Sequence, residues 1–195
     1  MTESSSDIGT LRDQLDAAEF DARLLVENLA EEQGCWRAEA GSWSVAQCLD
    51  HLAITNRVYL DAMKEPAIRA RAAGRLRRRQ ALPGFVGRWL ATKMEPPVRA
   101  FSKMKAPRNI KPGMSASLAD AFVHFLASQD EVRDYLRTNA DLDLAEIRFP
   151  NPWMPGIRFS LATGLHIITA HERRHLWQAW CVRRAAEGAA GERFQ

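Results

Sequence analysis

His171, Glu172 and His175 share the pentapeptide His171-Glu172-Arg173-Arg174-His175, set in a strongly helical stretch. Four residues advance a helix by about 6 Å and a little over one turn, so both imidazoles project from one face and can grip a single metal ion. Letter by letter the run is H-E-x-x-H, the zinc-protease pattern, in which the glutamate serves as general base. A protease of that type needs a third ligand. The extended form of the pattern puts glycine at position 178 and histidine at position 181, where this chain has Gln178 and Cys181. The other form draws a glutamate from a following helix, but here Glu187 and Glu192 lie in a short Gly/Ala-rich tail. No edge strand that would align a peptide substrate is evident either. The spacing says metal and the context argues against peptide hydrolysis.

A better third ligand lies upstream at His51, in Trp43-Ser44-Val45-Ala46-Gln47-Cys48-Leu49-Asp50-His51-Leu52. Helix bundles build metal sites by aiming side chains inward from facing helices. Three neutral imidazoles with water in the remaining position are a catalytic type of arrangement, because a closed structural zinc site fills its fourth position with protein. Imidazole suits Zn, Ni, Cu and Fe alike; Zn²⁺ or a similar divalent ion is expected. Gln178, three residues after His175 on the same stripe, is a candidate to orient a ligand or a bound water. Glu172 lies about 100° round the helix from His171 and is expected to point sideways, to an ion pair with an arginine either behind the metal ligands or at the surface, with a role as base as the alternative. Cys48 falls near His51 in angle and is expected to pack rather than ligate. His166 lies about 140° from His171 and cannot share its face. His124, between Phe122 and Phe125, is expected as a hydrogen-bonded core histidine, with a place in the pocket wall as the alternative. Trp43, Trp153, Trp177 and Trp180 are candidates to wall an apolar pocket or to fill the core.

The elements that must position these residues are helices. Ile8, Leu11, Leu15, Ala18, Ala22, Leu25 and Leu29 repeat at 3-4-3-4 spacing, a narrow apolar seam, with Gly34 as a stop near its end. A second helix opens at Ser44, where Ser44 and Gln47 form a capping box, and continues through Leu49, Leu52, Val58, Tyr59 and Ala62 until Pro66 ends or kinks it. Residues 67–116 are too long for a structureless loop, and short helices are expected over Ala67–Gln80 and Phe85–Lys93. Ser117 opens a third long helix that turns Leu118, Ala121, Phe122, Phe125, Val132 and Leu136 inward and ends near Asn139. Pro150, Pro152, Pro155 and Gly156 exclude a helix between 146 and 160, where residues 147–149 and 157–159 can pair as a short ribbon. A fourth long helix from about Ser160 to Ala186 carries the pentapeptide. Together these predict an all-α fold of one domain over 1–195: a four-helix bundle with a long basic, partly helical insertion, 64–116, between its second and third helices.

Three stretches, Trp43-Ser44-x-x-Gln47-x-x-x-His51-Leu52, Phe149-Pro150-Asn151-Pro152-Trp153 and His171-Glu172-Arg173-Arg174-His175-Leu176-x-Gln178, occur in the order and on the helices found in the DinB-like superfamily, which the chain resembles from about residue 8 to 186. The resemblance implies an up-down-down-up bundle, a three-histidine divalent metal site at His51, His171 and His175, and frequent homodimers. That superfamily includes thiol-dependent transferases and isomerases, so a low-molecular-weight thiol cofactor and S-transfer are implied at the level of the family, with metal-assisted hydrolysis as the variant that uses water.

Composition narrows the remaining choices. Three cysteines, Cys35, Cys48 and Cys181, without C-x-x-C spacing, argue for a reduced compartment. With no run of 18 apolar residues and no signal-peptide pattern, a soluble cytoplasmic protein without a membrane span is expected. Residues 64–111 hold 14 Lys/Arg against Glu65 and Glu95, a net +12 in a chain of +3, which leaves the rest at −9. The leading reading is a solvated basic surface helix; otherwise such a segment can meet nucleic acid, an anionic surface, a small anionic substrate or the protein's own acidic face. Nucleic acid is not favoured: no aromatic residues interleave Arg69, Arg71, Arg75, Arg77, Arg78 and Arg79, so sequence-specific or single-strand recognition is not indicated. A non-enzymatic stress-response or binding module is the alternative to an enzyme.

Overall fold

In the computed structural model, which describes residues 6–39, 41–97, 110–113, 117–154 and 156–192, helices α1 (Ser6–Val26), α3 (Val45–Ala72), α5 (Leu118–Asn139) and α6 (Leu161–Glu192) form a four-helix bundle. Two short helices, α2 (Glu31–Gly34) and α4 (Phe85–Met94), and one antiparallel ribbon of β1 (Arg148–Pro150) and β2 (Arg158–Ser160) complete it. Contacts along the helices set their directions. Gln14 meets Thr169 and Asp21 meets Trp180, so α1 and α6 run parallel. Asn56 meets Ser128 and Met63 meets Tyr135, so α3 and α5 run parallel. Asn56 meets Glu172 while Met63 sits against Gly164, so α3 opposes α6. The order is up-down-down-up, as expected.

The local signals act as anticipated at most helix starts. Ser44 Oγ accepts from the Gln47 N–H at 3.1 Å while the Gln47 carboxamide accepts from the Ser44 N–H at 3.2 Å. Ser117 caps α5 through the Asp120 N–H, and Ser160 Oγ accepts from the Thr163 N–H at the start of α6. The third long helix ends at Asn139 as read, but two other helix ends depart from expectation. The first helix stops at Val26, followed by Asn28 at φ 55°, and Gly34 instead closes the separate α2, where any Cβ would strike the Leu118 side chain. The second helix runs through Pro66, which is buried, and stops at Ala72, with Gly74 at φ 63° supplying the left-handed turn.

No separate helix covers Ala67–Gln80, because Ala67–Ala72 continue α3 and Leu76 then pairs with Leu142 in an isolated bridge. Arginines of this stretch turn to the chain's own acids: Arg69 to Glu65, Arg71 to Asp141, Arg77 to Asp7, and Arg79 to Asp143 and Glu146. Asp7 also accepts from the Ala81 N–H, which pins the start of α1 to the approach to α4. The expected helix over Phe85–Lys93 is present as α4. Gly87 lets it lie directly on α6, since a Cβ there would come within 2.4 Å of Thr163 Cγ2. The ribbon forms one residue later in the chain than read, with Phe149 opposite Phe159.

The apolar seam of α1 is buried along its length and spans two separate clusters. One cluster gathers Leu11, Leu15, Tyr59, Met63, Val132, Phe149, Leu161 and Ile168, and the other Ala22, Leu25, Leu49, Leu52, Phe125 and Leu176. Between them, in the middle of α3, α5 and α6, lies a buried polar layer of Asn56, Ser128, Gln129 and Glu172. That layer adjoins the histidines. No helix among the described residues is long and apolar enough to cross a membrane.

Candidate metal centre

His51 stands two turns into α3, on the face toward α6, and His171 and His175 stand one turn apart on the opposing face of α6. The opposed helices bring one ligand nitrogen from each of the three imidazoles within 4.8 Å of one another. His51 Nε2 and His171 Nε2 approach to 3.3 Å, and the ring centroids lie 4.5 to 5.0 Å apart. The three residues read from the sequence as ligands are therefore gathered at one point.

Two of the three rings have their other nitrogen tied. His51 Nδ1–H donates to the Ile110 carbonyl at 2.7 Å, and His175 Nδ1–H donates to Gln178 Oε1 at 3.0 Å. With Nδ1 protonated, each ring presents an Nε2 lone pair to the centre, the way an outer partner fixes the tautomer of a metal-ligating histidine. His171 Nδ1 is buried and has no hydrogen-bond partner among the described residues. Burial, joined by His175, His51 and Arg174 for His171 and by His51 and Arg174 for His175, holds all three below the ordinary imidazole value, His171 well below that value and His175 down to about 3. Neutral imidazoles are the ligating form. No carboxylate or thiol joins the cluster among the described residues. The donor set fits a transition metal or zinc with positions left open.

Trp43, on the residue before the α3 cap, closes one wall, its ring 4.7 Å from that of His51 and 5.5 Å from that of His175. Residues 110–113 form a strap over the start of α3, clipped by Asp50 Oδ2 accepting from the Gly113 N–H and by Gln47 Nε2 donating to the Gly113 carbonyl. The Ile110 carbonyl was invisible to residue-type reasoning, because every residue carries one. Gln47 was read as the capping partner of Ser44 and Asp50 only as a polar residue at the helix start, and neither reading anticipated its hold on Gly113.

Glu172 corrects an expectation. It forms no surface ion pair: it is fully buried between α3, α5 and α6, with Oε1 accepting from Asn56 Nδ2 at 2.8 Å and from Gln129 Nε2 at 2.5 Å. Burial pushes its carboxyl up to about 7 against those two hydrogen bonds. Arg173, the next residue in the chain, pairs instead with Glu95 at the end of α4. Cys48 packs in the apolar cluster, its thiol pushed up to about 12 by burial. His166 faces away and meets the Ala81 carbonyl. His124 is exposed on α5 and is neither a core histidine nor a pocket residue. Of the other tryptophans, Trp153 packs edge-on to Tyr59, while Trp177 and Trp180 line a groove between α1 and α6.

The family model of the DinB superfamily matches residues 14–179, a span that holds all three histidines, Trp43, Gln178 and Glu172. No curated protein and no solved structure matches the chain.

Proposed function

The chain belongs to the DinB superfamily, and on that footing we propose that it is a metal-dependent enzyme acting on a small molecule, a thiol-dependent S-transferase first and a hydrolase second. The observation that carries this reading is the convergence of three neutral imidazoles with no fourth protein ligand among the described residues. His51, His171 and His175 would hold the ion. A bound divalent ion would supply Lewis acidity that draws the pKa of a thiol or water down toward neutrality.

The chain's own groups prepare that step. Gln178 fixes the tautomer and ring plane of His175, and the Ile110 carbonyl does the same for His51. Trp43 covers the imidazoles with an apolar wall, which limits water and strengthens electrostatic contacts at the centre. Arg174 lowers the pKa of both His171 and His175, and the positive potential it places there suits an anionic substrate or thiol. Glu172 serves as a positioning residue, locking the α6 turn between the two ligand histidines onto α3 and α5 through Asn56 and Gln129. The acids paired with Arg69, Arg71, Arg77 and Arg79 reduce the charge available to nucleic acid and weigh against the binding-module alternative.

The test is turnover across a panel of low-molecular-weight thiols with electrophilic acceptors, alongside simple ester and amide substrates. Conjugation should disappear with a chelator, return with Zn²⁺ or Ni²⁺, and be absent from His175→Ala protein. Metal-loaded protein that turns over nothing in either panel would sink the enzymatic reading.

A further inference from the structure

Helix α4 has one face in the protein and one face without a partner among the described residues. Gly87 rests on Thr163 of α6, and Leu90 and Met94 pack on the adjacent core cluster. On the other side Leu82 (43 % exposed), Phe85 (87 %), Val86 (60 %) and Trp89 (54 %) face solvent. Their spacing, i, i+3, i+4 and i+7, makes one continuous apolar stripe along the helix and its lead-in. Large apolar residues exposed together mark a contact surface, whereas single ones are ordinary.

Charge identifies the partner. From Ala72 to Met94 the chain carries six cations, Arg75, Arg77, Arg78, Arg79, Arg88 and Lys93, and no acid. Arg77 and Arg79 turn inward to Asp7, Asp143 and Glu146. Around the α4 axis Arg88 and Lys93 fall on opposite sides of the Phe85–Trp89 line, and Lys93 Nζ lies 5.9 Å from the Trp89 ring centre. Aromatic residues in the middle of a helix face, flanked by cations, suit the boundary between headgroups and acyl chains.

We propose that the exposed face of α4, with its basic lead-in, docks reversibly on the surface of an anionic phospholipid bilayer. Phe85 and Trp89 enter the headgroup boundary while Arg88 and Lys93 meet lipid phosphates. Nucleic acid would satisfy the cations but leave the apolar stripe without a partner. A symmetric contact between two copies through this face would bring Arg88 and Lys93 toward their own counterparts, with no carboxylate on the helix to answer them.

The test is co-sedimentation of the full chain with vesicles of phosphatidylcholine alone and with an equal part of phosphatidylglycerol, at low salt. Binding to the anionic vesicles should exceed binding to the neutral ones by about tenfold or more, as expected when two or more cations sit at the surface. Phe85→Ser/Trp89→Ser should abolish binding, and Arg88→Glu/Lys93→Glu should remove the preference for anionic lipid, both with unchanged thermal midpoint and metal uptake. Equal binding to both vesicle types, no binding, or binding undiminished in both variants would overturn the proposal. So would a dimer in light scattering that the serine variant dissociates, or DNA retention that only the charge reversal removes, each without vesicle binding.

Discussion

Replacing Gln178 by leucine would probe the outer support of the metal centre without touching a ligand. Gln178 Oε1 is the acceptor, at 3.0 Å, for the Nδ1–H that fixes the His175 tautomer. Leucine keeps most of the volume and removes the acceptor. A stranded imidazole N–H costs about 1–3 kcal/mol, and outer partners of metal-bound histidine are worth about 10- to 100-fold in metal affinity, which is about 1.4–2.8 kcal/mol. The two routes agree. Competition of tag-free protein with a chromophoric chelator at neutral pH should therefore show a Kd weakened by one to two orders of magnitude. Gln178→Glu, which restores an acceptor at the same place, should recover most of the loss. A Gln178→Leu protein that binds metal within twofold of the parent would refute the role assigned to this side chain.

Other perturbations test the layers around the site. Gly164→Ala places a Cβ 2.6 Å from Met63 Sδ and 3.0 Å from Phe149 Cε1; overpacking of this kind costs about 1–3 kcal/mol, and an unchanged urea midpoint would contradict the close approach of α3 and α6. Glu172→Leu strands the Asn56 and Gln129 amides at about 1–3 kcal/mol each, whereas Glu172→Gln keeps an acceptor oxygen and should lose much less. Equal denaturation curves for the two would show that the buried network does not hold α6. In metal-free protein His51, His166, His171 and His175 sit below the ordinary value of 6.5, so the unfolded chain binds more protons than the folded one as pH drops through 6.5. Each contributes a loss of up to about 1.4 kcal/mol per pH unit below that point. Glu172, raised to about 7 from 4.5, works the other way and strengthens the fold as pH falls between those values. With four groups against one, unfolding free energy should fall from pH 7 to 5; a flat or rising profile measured by denaturant titration would contradict burial of neutral histidines.

What could be read from the sequence follows from which physical terms are local. The α1 seam, the Ser44–Gln47 box and the prolines around Asn151 act within a few residues, and each sits where it was read. The triad was legible because i,i+4 spacing fixes two ligands on one helix and bundle geometry supplies the third. Helix ends were less so: Pro66 carries a stop signal, yet burial against the bundle holds the helix through it to Ala72. The partner of Glu172 was misjudged because a carboxylate 100° from the ligand face was expected to meet an arginine. Here α6 is flanked by three other long helices, so that direction leads into Asn56 and Gln129. The path of 75–81 depended on acids far away in sequence, Asp7, Asp143 and Glu146, and no local pattern encodes it.

The most direct measurement is metal content by inductively coupled plasma mass spectrometry on protein purified without a nickel column, then stripped and reloaded, for the parent and for His51→Ala. The account predicts one divalent ion per chain in the parent and none retained in His51→Ala, although the H-E-x-x-H pair is intact. Retention of a full equivalent by His51→Ala, or no uptake by the parent, would contradict it.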